Sequence, residues 1–384
     1  MRDLLQGMTG FPLEDALVVC RDAPPSVFLL NATGRLLWEG LARGLDQATL
    51  VAELAATFGM APDALHHDVA AFIATLQALQ QEPPVSRDSP PVAPLPRSAP
   101  CHACRTYRLL DTPVAIRFET AAIEADAHPH LAWAASLEAA PVTVFTLQRH
   151  GTGVAVWQDD LLIGYGENPL CLRFFLHSAL AVSARPGMRR PTSVFHAGAV
   201  ALDHRCLVLA GASGQGKSTL AAALCHAGFR FVAEDILPVD LHARRAFLVP
   251  TALSIKSGSW EILARRYPEL GRASVHAATR GRSTRFVTAR SLLGEKAPRA
   301  FDLAFLLFPR YAANATTILT PLSPVQVIQW LLHGGGWVQV HPDEVCALLE
   351  LVQKTPAFSL LYSDLDGAID QVGRLLGSPG GGLP

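Results

Sequence analysis

The chain has 384 residues, half of them hydrophobic and 17% charged, which is enough apolar material for two or three domains and too much for a disordered chain. Its formal net charge of −1 argues against a nucleic-acid or membrane-surface protein, since both usually need a basic excess. The seven cysteines are odd in number and scattered, so they point to a reducing compartment. The opening residues carry no apolar h-region, and no uncharged apolar run is long enough to span a bilayer, so a cytoplasmic place is expected.

Residues 1–82 read as one small unit. Apolar runs over 16–20 and 26–30 flank Asp22-Ala23-Pro24-Pro25, a turn cluster, and so predict a hairpin. Asn31-Ala32-Thr33 supplies helix N-cap chemistry. The helix that follows carries Leu36, Leu37 and Leu41 and ends near Gly44. A second carries Leu50, Leu54 and Phe58 and ends at Gly59. A third starts near Pro62 with Val69, Phe72, Ile73 and Leu76 on one stripe. Two strands and three helices predict a winged-helix-like α+β module.

Prolines crowd residues 82–100, which favours extended conformations and excludes helix or central strand. A spacer over 83–104 therefore separates the domains. Cys101-His102-Ala103-Cys104 within it has C-x-x-C spacing, but no second pair lies nearby to complete a four-ligand zinc site. Runs at 142–147, 153–157 and 161–165 predict strands of a meander, with Asp159-Asp160 as the last turn. Residues 170–184 look helical, and the glycine-rich tail 378–384 is expected to be flexible.

From 196 the pattern becomes strand, glycine loop, helix, strand. Residues 206–210 form a buried strand, 218–227 a helix stopped by Gly228, and 229–233 the next strand, a βαβ unit of an α/β domain over 105–377. Between the first strand and the helix lies Gly211-Ala212-Ser213-Gly214-Gln215-Gly216-Lys217-Ser218, which fits G-x-x-x-x-G-K-[ST]. The glycines let backbone amides surround phosphate oxygens, and the helix start adds its positive dipole end. Lys217 can reach the β- and γ-phosphates and the Ser218 hydroxyl can ligate Mg²⁺. With Thr219 next along, these residues form the expected ATP-binding set.

Glu234-Asp235 directly follows the second strand, at the carboxyl end where ligands of open α/β sheets bind. One carboxylate can hold Mg²⁺ and the other can accept a proton from an attacking hydroxyl. The bland alternative is a solvated turn or a helix cap. His196 lies just before the first strand, a lone histidine that is either structural or part of the site. Arg280, Arg282, Arg285 and Arg290 cluster in one polar stretch, either a solvated loop or a lid whose arginines meet phosphate; Arg285 is the choice for the second role. Lys256 either faces the nucleotide or is surface.

In this arrangement the chain resembles the HPr kinase/phosphorylase family and its kinase-only relatives. The resemblance rests on His196, the loop ending Gly216-Lys217-Ser218, Gly228 and the acidic pair, with looser agreement at 253–260 and 305–309. It implies that Lys217 and Ser218 hold phosphates and Mg²⁺, that Glu234 takes the place of a catalytic acid/base aspartate and Asp235 that of its metal-linked neighbour, and that His196 lies near the transferred phosphate. Glutamate at 234 departs from the family's Asp-Asp pair. The glycine-rich segment of phosphorylase-competent members is not apparent, so simple kinase action is expected.

The N-terminal unit resembles PqqD-like proteins, the peptide recognition elements of ribosomal-peptide pathways, through residues 28–33, Leu36-Leu37-Trp38 and the helix at Asp68-Val69. Such modules bind a leader peptide as an added strand. Trp38, Leu37 and Phe72 are either groove or plain core. The implied activity is ATP- and Mg²⁺-dependent phosphorylation of a serine or other hydroxyl on a ribosomally made precursor peptide. The alternatives are an ATP-binding adaptor that delivers the precursor to another enzyme, or a small-molecule kinase. A homo-oligomer is left open.

Overall fold

The computed structural model describes residues 1–22, 26–81, 100–109, 112–136, 140–166, 193–277, 282–287, 299–333, 337–339 and 342–377. The turn residues 23–25, most of the spacer, the helix expected over 170–184, Arg280, Arg290 and the tail lie outside them. Contacts divide the chain into two units.

The first unit begins with strands β1 (Met8–Leu13), β2 (Ala16–Arg21) and β3 (Ser26–Leu30), paired antiparallel in the order β1-β2-β3. The expected hairpin is β2–β3. β1 was not expected, because Gly10 and Pro12 read as turn residues. Pro12 is tolerated because β1 lies at a sheet edge, where a missing amide breaks no ladder. Helices α1 (Ala32–Arg43), α2 (Gln47–Phe58) and α3 (Pro62–Gln81) follow. Asn31 caps α1 by accepting the Gly34 amide at 2.9 Å, and Asp46 caps α2 through Thr49. Both helices end on glycines in the left-handed region, Gly44 at φ 89° and Gly59 at φ 64°. Leu37, Trp38, Leu41, Leu50, Leu54, Val69, Ile73 and Leu76 close over Leu17 and Val19 in one core, so Trp38 and Leu37 are core residues and Phe72 packs at its margin.

The second unit opens with a five-stranded sheet of β4 (Ala103–Leu109), β5 (Thr112–Phe118), β6 (Thr143–His150), β7 (Gly153–Gln158) and β8 (Leu161–Gly166), in that order. β6 to β8 are the expected meander, with Asp159 turning at φ 52°. Helix α4 (Ala121–Leu131) carries a parallel crossover from β5 to β6 that was not expected.

The main sheet then takes β9 (Ser193–Phe195), β10 (Gly198–Leu202), β11 (Arg205–Leu209), β12 (Arg230–Ala233), β13 (Leu237–Asp240) and β14 (Arg245–Phe247), with α5 (Lys217–His226) between β11 and β12. A three-stranded sheet of β15 (Leu253–Lys256), β16 (His276–Ala277) and β17 (Ser283–Val287) follows, with the short helix α6 (Trp260–Leu263) after β15. The chain then runs through β18 (Ala300–Tyr311), β19 (Ile318–Pro321), α7 (Pro324–His333), β20 (Trp337–Gln339), α8 (Pro342–Lys354), β21 (Ala357–Tyr362) and α9 (Leu365–Gly377). The order in the main sheet is β12-β10-β11-β18-β14-β13-β9-β20, with β21 pairing β18 and β19. β11, β18 and β21 are parallel neighbours. The expected βαβ unit is present but split, because β10 pairs antiparallel with both β11 and β12 and so stands between them. Leu220, Leu224, Leu365, Val372 and Leu376 bury α5 and α9 in the core of this layer.

Two stretches expected inside the α/β domain belong instead to the first unit: residues 323–332, most of α7, and 339–354, which holds α8. β2 shows why a partner is needed there. Leu17 and Val19 face the helical core, while Ala16, Val18 and Cys20 point to the opposite face by strand alternation and are buried too. α8 packs against β1 and β2, and its Val345, Leu348, Leu351 and Val352 are buried. A strand covered on both faces reads as a continuous apolar run, and residues 16–20 do. Among the described residues no helix is long and apolar enough to cross a membrane.

Candidate active site

Strand β11 ends in Ala210, whose amide donates to Leu307 O of β18 at 2.9 Å and holds the exit from the strand beside its parallel neighbour. The 211–216 loop then turns on three glycines with positive φ: Gly211 at 118°, Gly214 at 93° and Gly216 at 94°. Residues with a Cβ rarely adopt such angles. Gly216 also has no room for one: a Cβ there would overlap the Tyr362 hydroxyl, which itself donates to Gly216 O at 3.4 Å. Tyr311 N–H donates to Gln215 O at 3.3 Å. The loop is thus tied to the carboxyl ends of β18 and β21, and α5 starts directly from it at Lys217.

Lys217 is 8% exposed, and its Nζ donates to Gly211 O and, at 3.1 Å, to Ala212 O. The ammonium therefore lies against the loop's own carbonyls. Burial lowers its pKa, opposed first by Asp235 and last by Glu234, with Lys256 adding to the lowering. An arriving anion would restore the stability of the charged form. Lys256, at the end of β15, donates to Ser213 Oγ at 3.4 Å, so a second ammonium stands at the loop. Thr219 shares a 2.6 Å hydrogen bond with Ser259 Oγ, joining the first turn of α5 to the segment after β15. Ser218, in the same turn, is half-buried.

The acidic pair follows β12. Ile236 N–H donates to Glu234 O at 2.7 Å across Asp235, whose φ is 61°. That is a γ-turn with a positive central φ, a rare and strained form. Glu234 is 3% exposed, and its Oε2 accepts the Ser254 amide of β15. Ser254 Oγ in turn bonds Thr284 Oγ1 at 2.9 Å, so β15 and β17 together orient the Glu234 carboxylate. Asp235 is half-buried.

His196 sits between β9 and β10, with Nδ1 2.9 Å from Asp235 O. A carbonyl only accepts, so Nδ1 carries the proton in this bond and Nε2 keeps its lone pair in the neutral ring. Burial lowers the His196 pKa, Asp235 opposes it, and Lys217 and Lys256 push the same way as burial. The ring is therefore neutral at neutral pH. Lys217 and His196 thus share the influence of Asp235 and Lys256, and Glu234 acts on Lys217 as well.

Of the two arginines of the cluster among the described residues, Arg282 lies at the loop: its Nη1 is 3.8 Å from where a Cβ on Gly214 would stand. Arg285 is engaged elsewhere. Its guanidinium stacks 4.1 Å over the Trp260 ring and donates to Leu270 O at 2.9 Å, binding β17 to the segment after β15. Cys101 and Cys104 are free thiols, and among the described residues no group of three or more His, Cys, Asp or Glu side chains is placed to hold a metal. Ser254 lies in the stretch of looser agreement at 253–260 with no role assigned to it, and Tyr311 and Tyr362 lie in no motif; they act through backbone and hydroxyl contacts far along the chain.

Residues 21–80 match the family described as coenzyme PQQ synthesis protein D (PqqD), so a PqqD-family domain stands at the N-terminus. No curated protein matches the chain. The solved structures that are similar to parts of it include two described as follows. One, described as TbiB1 in complex with the TbiA(beta) leader peptide, is 19% identical with a TM-score of 0.19, covering 20% of this chain and 87% of that one. The other, the Hpr(Ser) kinase/phosphatase from Coxiella burnetii, is 12% identical with a TM-score of 0.24, covering 47% of this chain and 96% of that one.

Proposed function

We propose that the second unit transfers the terminal phosphoryl group of ATP to a hydroxyl, serine first, on a precursor peptide held by the N-terminal unit. What supports this reading is that Lys217 and Lys256 bond the 211–213 stretch, that Asp235 and Glu234 favour the charge on Lys217, and that His196 bonds Asp235 O. An anion cradle alone would fit many phosphate binders. A cradle with two carboxylates at the adjoining strand end has the parts for in-line transfer to a hydroxyl. The incoming oxygen bonds the γ-phosphorus, the bond to the ADP oxygen breaks, and the hydroxyl proton passes to a carboxylate.

We assign that proton to Glu234. Its burial and the Ser254 amide pre-orient the carboxylate and keep water from it, conditions under which a base needs no reorganisation. Lys217 and the loop amides hold the β- and γ-phosphates, with Lys256 and Arg282 at the rim; we assign Arg285 a supporting role through Trp260. The Ser218 hydroxyl and Asp235 carboxylate are hard oxygen donors that suit Mg²⁺ and would hold it, and it would supply charge neutralisation at the phosphates. His196, bonded to Asp235 O, braces the strained turn.

The PqqD match and the resemblance to peptide recognition elements support a leader peptide as the ligand of the first unit, which we read as winged-helix-like. Tethering would then raise the local concentration of the acceptor segment. Comparing Glu234→Gln with Lys217→Ala in the full chain tests the roles. The first should bind MgATP like the wild type and transfer nothing; the second should lose MgATP binding itself. A Glu234→Gln variant with wild-type turnover would refute the assignment of the base.

A further inference from the structure

Resting on the reading of the 211–218 loop as a phosphate cradle, we propose that Tyr311 is the platform on which the base of the bound nucleotide stacks. The place follows from topology. The crossover from β11 through α5 leads to β12 on one side of β11, while β18 and β21 lie parallel on the other. Ligands of open α/β sheets lie outside the carboxyl ends of the strands where the order reverses in this way. With the phosphates at the start of α5, the rest of a nucleotide extends over the ends of β18 and β21. Tyr311 ends β18 and Tyr362 ends β21.

Tyr311 is 49% exposed, although the strand behind it is buried from Phe305 to Pro309. A single exposed aromatic is ordinary on a protein surface. This one is held in place. Its amide bonds Gln215 O of the loop, and the next amide, Ala312 N–H, bonds Tyr362 O at 3.0 Å. Its ring meets Tyr362 edge-on, with centroids 5.9 Å apart and planes at 73°. Tyr362 is 2% exposed and donates to Gly216 O. One buried tyrosine thus sets both the loop and the exposed ring, leaving ring surface open beside the cradle. A flat, pre-oriented ring stacks any base, because every base has a π-face.

The test titrates the full-length protein calorimetrically with MgATP, MgGTP and Mg-tripolyphosphate, which has the phosphates and no base. Tyr311→Ala should weaken MgATP and MgGTP binding at least about fivefold and leave tripolyphosphate unchanged. Tyr311→Phe keeps the ring and should bind all three like the wild type. Equal losses for all three ligands in Tyr311→Ala would make the residue a structural prop of the loop, and no loss for any would remove the platform; either result overturns the proposal while the cradle stands. A wild-type protein that binds neither nucleotide nor tripolyphosphate would overturn the cradle, and the platform with it.

Discussion

Gly216 concentrates the local physics of the site. It combines a φ of 94° with a neighbour, the Tyr362 hydroxyl, that occupies the place of any Cβ. Gly216→Ala should therefore cost about 2 kcal/mol of stability and most of the MgATP affinity, read by thermal denaturation and by titration. Tyr362→Phe removes the hydroxyl but not the positive φ, so adding it to Gly216→Ala should recover part of the loss; no recovery would mean that the backbone angle alone sets the penalty. The turn and the helix start after it were legible because contiguous residues fix them: glycines for the turn, then a helix from Lys217. The place of the acidic pair at the end of β12 was legible because an apolar run directly precedes it. Ser254 was not, since what it supplies to Glu234 is a backbone amide that any residue but proline could offer. The choice between Arg282 and Arg285 was equally closed to sequence, because four arginines in one stretch carry the same charge and only packing on Trp260 separates them.

At the scale of elements, punctuation carried most of the information. Asn31, Gly44 and Gly59 marked helix ends because each solves a backbone problem: an orphan amide, or a left-handed exit. Asn31→Ala should cost about 1 kcal/mol, with unchanged secondary-structure content in the folded state, measured by denaturant titration. An unaltered midpoint would show that the Gly34 amide finds another acceptor. β1 was missed because Gly10 and Pro12 look like turn residues until the strand is known to lie at an edge. β10 was missed as a separator because its apolar run fits any buried strand, and neighbour order in a sheet is a long-range property.

For the whole molecule, the decisive fact is that α8 completes the burial of β2. Amphipathic helices announce an apolar face but not the partner that covers it, so residues 323–332 and 339–354 read as part of the second domain until the contacts assigned them to the first. A chain lacking residues 1–81 would leave α8 without β1 and β2. It should melt at a lower temperature than the full chain and self-associate, measured by calorimetry and light scattering. A truncated chain with an unchanged transition and a single monomeric scattering mass would show that the two helices need no such cover. The mixed α/β layout was legible because it follows from local periodicity and caps, and the PqqD-like start through its resemblance at 28–33 and 36–38; the interleaving was not.

The account stands most directly on whether a peptide hydroxyl receives phosphate. The full chain and its Glu234→Gln variant should be incubated with MgATP and precursor peptides that carry serines after a leader, and the peptides weighed by mass spectrometry. The wild type should add one phosphate to a serine and Glu234→Gln none, although both bind MgATP. MgATP bound by the wild type with no phosphate on any precursor peptide would contradict it.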